Sequence, residues 1–110
     1  MKITDRAKRK ELTQMRRKQI LDVATEVFSK DGYARADVDE IANLADLGKG
    51  TVYRYFKSKK GLFLSAVDRG LDKLKDTILK EVEKTDDPLG KIENAIKAYL
   101  SFFEENRDLL

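Results

Sequence analysis

Two short amphipathic stretches joined by a three-residue corner constrain this chain more than any other feature. Val38, Ile41, Ala42 and Ala45 make one narrow apolar stripe at helical spacing, and Val52 and Phe56 make the next. Asp46-Leu47-Gly48 turns the chain between them. Aspartate tolerates the left-handed backbone region better than most residues, and glycine can cap a helix start without a side chain. Asp37, with Glu40 three residues later, has the pattern of a capping box ahead of the first stripe. A capped short helix, a tight corner and a second short helix predict a helix-turn-helix over about residues 37–56.

The rest of the chain reads as further helices, so the fold class is all-α. Ile20, Ala24, Val27 and Phe28 share one face of a helix over Met15 to Ser29, and Gly32 is placed to stop it. Ser58 is placed to cap a long fourth helix with a seam of Phe63, Val67, Leu71, Leu74, Ile78 and Val82. Asp87 and Pro88 open a fifth, with Leu89, Ile92, Ile96, Tyr99, Leu100 and Phe103 on one side. A new apolar stretch has barely begun where Asn106-Arg107-Asp108-Leu109-Leu110 closes the sequence.

Charge and residue usage narrow the function classes. Residues 1–61 hold 15 Lys and Arg against 9 Asp and Glu, net +6, and residues 62–110 hold 8 against 11, net −3. A basic front suits a polyanion partner, although a charged fraction of 39% also describes solvated helix faces. With no His and no Cys, the common metal ligands, general bases and thiol nucleophiles are missing, so neither an enzyme nor a cofactor is expected. The absence of cysteine fits a reducing cytoplasm. The apolar run Leu62 to Val67 is far too short to span a bilayer, and the basic N-terminus leads into no apolar signal region.

The second short helix carries the chemistry. Its run, GKGTVYRYFKSKKGLF over residues 48–63, starts with backbone left bare by Gly48 and Gly50. Unpaired N–H groups at such a helix start attract phosphate. Lys49 and Arg54 suit guanine O6 and N7, and the Thr51 methyl and hydroxyl suit a thymine methyl, a base edge or a phosphate. The Tyr53 and Tyr55 hydroxyls and the ammonium groups of Lys57, Lys59 and Lys60 suit phosphate oxygens. Each has a plainer reading taken singly: a packed tyrosine, a solvated lysine, a turn glycine. Their spacing behind a capped short helix favours double-stranded DNA. A nucleotide-binding loop would need glycine at Asn43, and a dinucleotide fingerprint would need it at Tyr53.

These motifs carry a family resemblance. GKGTVYRYFKSKKGLF, preceded by VDEIANLADL and RRKQILDVATEVFSKDGY, resembles the DNA-binding domain of the tetracycline-repressor (TetR) family over about residues 13–73. The resemblance implies a homodimeric transcriptional regulator, usually a repressor, whose C-terminal helical domain dimerises and binds a small effector of unknown identity. It implies groove-facing Lys49, Gly50, Thr51 and Arg54 beside Gly48, and phosphate contacts from Tyr53, Tyr55 and Lys59. It divides the chain into a basic arm at 1–12, the DNA-binding domain at 13–73, and the incomplete start of the regulatory domain at 74–110. Three positions depart from the family pattern. Asp37 stands where a Ser or Thr usually meets phosphate, Asp46 replaces the corner glycine, and Gly48 replaces a frequent serine cap. Family members are longer, so most of an effector pocket is expected to be missing. A helical protein–protein module, with the fourth and fifth helices as its interface, is the alternative.

Overall fold

The computed structural model describes residues 2–109, with side chains from Thr4 onward. Five helices follow one another: α1 (Lys2–Arg35), α2 (Val38–Leu44), α3 (Lys49–Phe56), α4 (Lys59–Val82) and α5 (Pro88–Glu105). No strand occurs among the described residues, and the chain is all-α.

The three-helix unit closes around α1. Ile20, Leu21, Ala24, Val27 and Phe28 are buried against Val38, Ile41 and Ala42 of α2, Val52 and Phe56 of α3, and Leu62 and Ala66 of α4. Ile20, Ala24, Val27 and Phe28 are the face that helical spacing predicts. Burying one large apolar side chain contributes about 1.5–3 kcal/mol, so this cluster is what holds three short helices together. Phe28 meets the Phe63 ring edge-on at 5.1 Å, and Phe63 meets Tyr33 at 5.0 Å.

The caps are local chemistry. Asp37 Oδ1 accepts from the Asp39 backbone N–H at 2.9 Å and starts α2; the reciprocal bond from Glu40 is not formed among the described residues. At the end of α2, Asp46 N–H donates to Asn43 O and Leu47 N–H to Ala42 O, with Asp46 at φ 57°. That pair of bonds is the Schellman closure, which needs one left-handed residue. Ser58 Oγ accepts from Gly61 N–H at 2.9 Å to start α4, and Asp87 Oδ2 accepts from Gly90 N–H at 3.1 Å to start α5 behind Pro88.

Two features differ from the sequence expectation. First, helix α1 begins at Lys2, so the basic arm is a helical extension of α1. Its described side chains, residues 4–15, are all exposed. Its Arg, Lys, Ala and Glu residues are good helix formers, and propensity alone accounts for the extension. At the other end Gly32 is non-helical, φ 78° and ψ 165°, and Tyr33 to Arg35 add one more turn.

Second, the α4 seam is displaced. Leu62, Ala66 and Leu74 are its buried residues, while Leu71 is 46% exposed. The large apolar side of α5 is uncovered: Leu89, Ile92, Ile96, Tyr99, Leu100 and Phe103 are all exposed. Helix α5 instead approaches α4 through its small side. Ala98 is buried, and the Phe102 ring lies where a Cβ on Gly70 would be 3.8 Å away. Small residues let helix backbones come close, and the Phe102 ring fills the space that Gly70 leaves.

The result is an extended shape, 50 × 44 × 18 Å, with a radius of gyration of 17.5 Å. A compact chain of about 100 residues has about 13 Å.

Candidate nucleic-acid interface

Helix α3 is held by its buried side and offers the other. Val52 and Phe56 are buried, whereas Gly48, Lys49, Gly50 and Arg54 are exposed and Thr51 is half-buried. Gly50 and Arg54, four residues apart, lie on one face one turn from each other. Gly48 caps α3 by backbone alone (φ −75°, ψ 151°), without a side-chain bond. Neither Gly48 nor Gly50 has any atom within 4 Å of where a Cβ would be, so the helix start is open to an approaching backbone. The first N–H groups of α3 therefore point out of an unobstructed end, the arrangement that favours an anion.

Lys49 is exposed but not free. Its Nζ lies 3.4 Å from Asp39 Oδ1 and 5.9 Å from the Tyr53 ring centre. The pair is solvent-exposed on both sides, so it contributes about 0–1 kcal/mol and holds Lys49 only loosely. Sequence reading did not pick out Asp39, because its partner lies across the corner.

Tyr53 and Tyr55 are half-buried and pack on the core. Four-residue spacing allows only one fully turned-out side on a helix this short, and these rings flank it. Lys59 is also folded back. Its Nζ donates to Ala34 O at 3.3 Å and sits 4.7 Å over the Tyr33 ring. Lys57 and Lys60 beside it are exposed. Arg17, which the sequence reading did not single out, places its guanidinium 4.6 Å over the Phe56 ring. Gln19 Nε2 donates to Ala45 O at 2.6 Å, tying α1 to the corner.

A short supported helix with an open N-terminal end and an exposed Lys–Gly–Arg face, set behind a Schellman corner, defines a helix-turn-helix DNA-binding protein. Residues 20–66 match the family described as bacterial regulatory proteins, tetR family, and over these residues the chain carries a TetR-type DNA-binding domain.

Known relatives agree. The chain is 35% identical over 91 residues to the HTH-type transcriptional activator FasR of Mycolicibacterium smegmatis, covering 83% of this chain and 42% of that one. It is 42% identical over 59 residues to the HTH-type transcriptional repressor KstR of the same organism, covering 54% of this chain and 29% of that one. Among solved structures, the fatty acid degradation regulator FadR from Bacillus halodurans superposes with a TM-score of 0.73 at 26% identity, covering 84% of this chain and 49% of that one. A TetR-like regulator from Rhodococcus sp. RHA1 gives a TM-score of 0.72 at 28% identity, covering 86% and 51%. The chain thus spans about half the length of the relatives it matches, or less. No helix among the described residues is long and apolar enough to cross a membrane.

Proposed function

We propose that this chain reads a palindromic operator as a homodimer and represses transcription by occupying it, in the cytoplasm, until a small effector releases it. The open, exposed face of α3 carries the proposal. Arg54 reads a base edge, Lys49 and Thr51 reach bases beside it, and Gly48 and Gly50 let the backbone close on phosphate. Tyr53 and Tyr55, with half-buried rings, offer their hydroxyls to phosphates. Lys59 reaches phosphate only by leaving Ala34 O, which costs one exposed hydrogen bond. The helical extension of α1, with Arg6, Lys8, Arg9 and Lys10, adds non-specific attraction along the duplex. Occupancy of a promoter is enough to repress, and this surface supplies occupancy. The relatives include one named activator and one named repressor, so the sign of regulation rests on that reasoning and not on likeness.

The uncovered side of α5 supports the homodimer. Ile92 is 58% exposed and Leu100 is 60% exposed, and such a continuous apolar face calls for further helices of the same protein or a second copy. A groove of about 630 Å³ between α4 and α5, which Arg69, Lys73 and Phe102 help to line, is where effector contacts from this part of the chain would fall.

The test is a duplex titration from 50 to 200 mM salt. Binding through phosphates makes log K fall linearly with log salt, by about 0.9 per neutralised phosphate. A flat salt response would favour a protein–protein module using the α5 face.

A further inference from the structure

Helix α4 belongs to two bodies. Leu62 and Ala66 are buried in the core of the DNA-binding unit, and Leu74 is buried outside that cluster, in the half of the helix that carries α5. Between them stands Arg69. Its Nη1 donates to Asp22 Oδ1 at 2.6 Å and its Nη2 to Thr25 Oγ1 at 3.2 Å, both on α1 and more than forty residues away in sequence. Among the described residues these are the only side-chain hydrogen bonds that join residues 67–109 to residues 4–66.

Both acceptors are set in place from their other side. The Thr25 hydroxyl donates to Leu21 O at 2.7 Å, which turns its lone pairs toward Arg69. Asp22 Oδ2 accepts from Lys18 Nζ at 3.1 Å. Partial burial raises the Asp22 pKa, but the hydrogen bonds and charges of Arg69 and Lys18 outweigh it, and the carboxyl lies below its ordinary value. The residue after Arg69 is Gly70, which gives α4 no side chain where the Phe102 ring of α5 lies. Leu109 makes an apolar contact with the core of the DNA-binding unit. Apolar contact is non-directional and tolerates sliding, whereas a two-pronged guanidinium specifies an angle.

We propose that Arg69 is a positioning residue: its fork on Asp22 and Thr25 holds the outer half of α4, with α5, at one angle to the DNA-binding unit. The side chain of Arg69 is 23% exposed and that of Asp22 is 48% exposed, so the bond is strong enough to select an orientation and weak enough to open. In a dimer, this angle sets the separation of the two recognition helices. That consequence rests on the proposed function; the angle itself does not.

The test uses the absence of cysteine from the chain. Spin labels at Asn43→Cys on α2 and Glu104→Cys on α5, both exposed sites, report the distance between the two bodies. The parent gives one narrow distribution. Arg69→Gln and Asp22→Asn each broaden it, the double variant broadens it no further, and Arg69→Lys falls between because one ammonium cannot span both acceptors. Affinity for operator DNA falls about fivefold in the same variants, the lower end of coupling between sites, with the melting temperature close to the parent's. Asp22→Asn, at the more exposed partner, supplies the answer if Arg69→Gln does not fold. An unchanged distribution in the folded single variants overturns the proposal, and so does a double variant broader than either single. Broadening in a protein that shows no salt-dependent DNA binding keeps the joint and refutes the functional reading alone.

Discussion

Lys57 is the residue most clearly out of place in the backbone, and replacing it should stabilise the protein. It joins α3 to α4 at φ 64°, ψ −33°, with Ser58 N–H donating to Phe56 O at 2.7 Å across it. A bond from residue i+2 back to residue i around a positive φ is the strained form of γ-turn. Sparsely populated backbone regions cost a residue with a Cβ about 1–3 kcal/mol. Glycine removes that cost but gives the unfolded chain back about 0.4–1 kcal/mol of conformational entropy. The net expectation for Lys57→Gly is a gain of about 1 kcal/mol, or about 4–8 °C in melting temperature for a domain near this size.

The same substitution removes an exposed cation beside the DNA face, so duplex binding should weaken while the fold strengthens. Lys57→Ala separates the two effects, because it loses the charge and keeps the strain. Both variants should show the same smaller salt slope, lower than the parent's by about one phosphate contact. Only the glycine variant should melt above the parent. Thermal and urea melts beside salt-dependent titrations read all of this. A glycine variant melting no higher than the alanine variant would refute the strain, and with it the γ-turn as the joint between α3 and α4.

Gly61→Ala should act in the opposite direction: its Cβ would lie 2.6 Å from Phe56 O, a backbone atom that cannot swing away, and the cost should be about 1–3 kcal/mol in a urea melt. A neutral result would mean that the α3–α4 joint relaxes freely. Arg54→Ala should lose about 1–3 kcal/mol of specific binding and relax the preference at one base pair, whereas Lys59→Ala should weaken all duplexes alike and lower the salt slope by about one. Equal losses on specific and random duplexes would refute base reading by Arg54; an unchanged slope for Lys59→Ala would show that its ammonium stays on Ala34 O. Asp37→Thr should keep the α2 cap, at a cost of at most a few tenths of a kcal/mol, and bind DNA more tightly at low salt, whereas Asp37→Ala should also lose about 1 kcal/mol of stability. Weaker binding by the threonine variant would mean that Asp37 does not face the DNA backbone.

What was legible in the sequence is what neighbours along the chain decide. Asp37, Ser58 and Asp87 each cap the helix they precede, because an N-cap needs only an oxygen within reach of the second or third N–H. Asp46 takes the left-handed corner position for an equally local reason. What distant residues decide was not legible. Lys59 lies on Ala34 O, 25 residues back, and no pattern near Lys59 announces it. The helical extension of α1 has no apolar period, and its residues 4–15 are exposed, so periodicity, the strongest sequence signal for a helix, is silent there.

The apolar stripes show the limit of that signal most clearly. In α1, α2 and α3 the stripe residues are the buried ones, since the partners of each helix lie within the same short stretch and close around one another. In α5 the stripe is as regular, yet Leu89, Ile92, Ile96 and Leu100 are exposed, while Ala98 is buried and the Phe102 ring lies against Gly70 of α4. A stripe states that a helix needs cover over one face; it does not say where the cover comes from. Among the described residues α5 packs chiefly on α4, through Ala98 and the Phe102 ring, and most of its large apolar side chains stay exposed. The exposed side of α5 is therefore the part of this fold that depends on something beyond α1 to α4, and the Arg69 joint sets the direction in which it is presented.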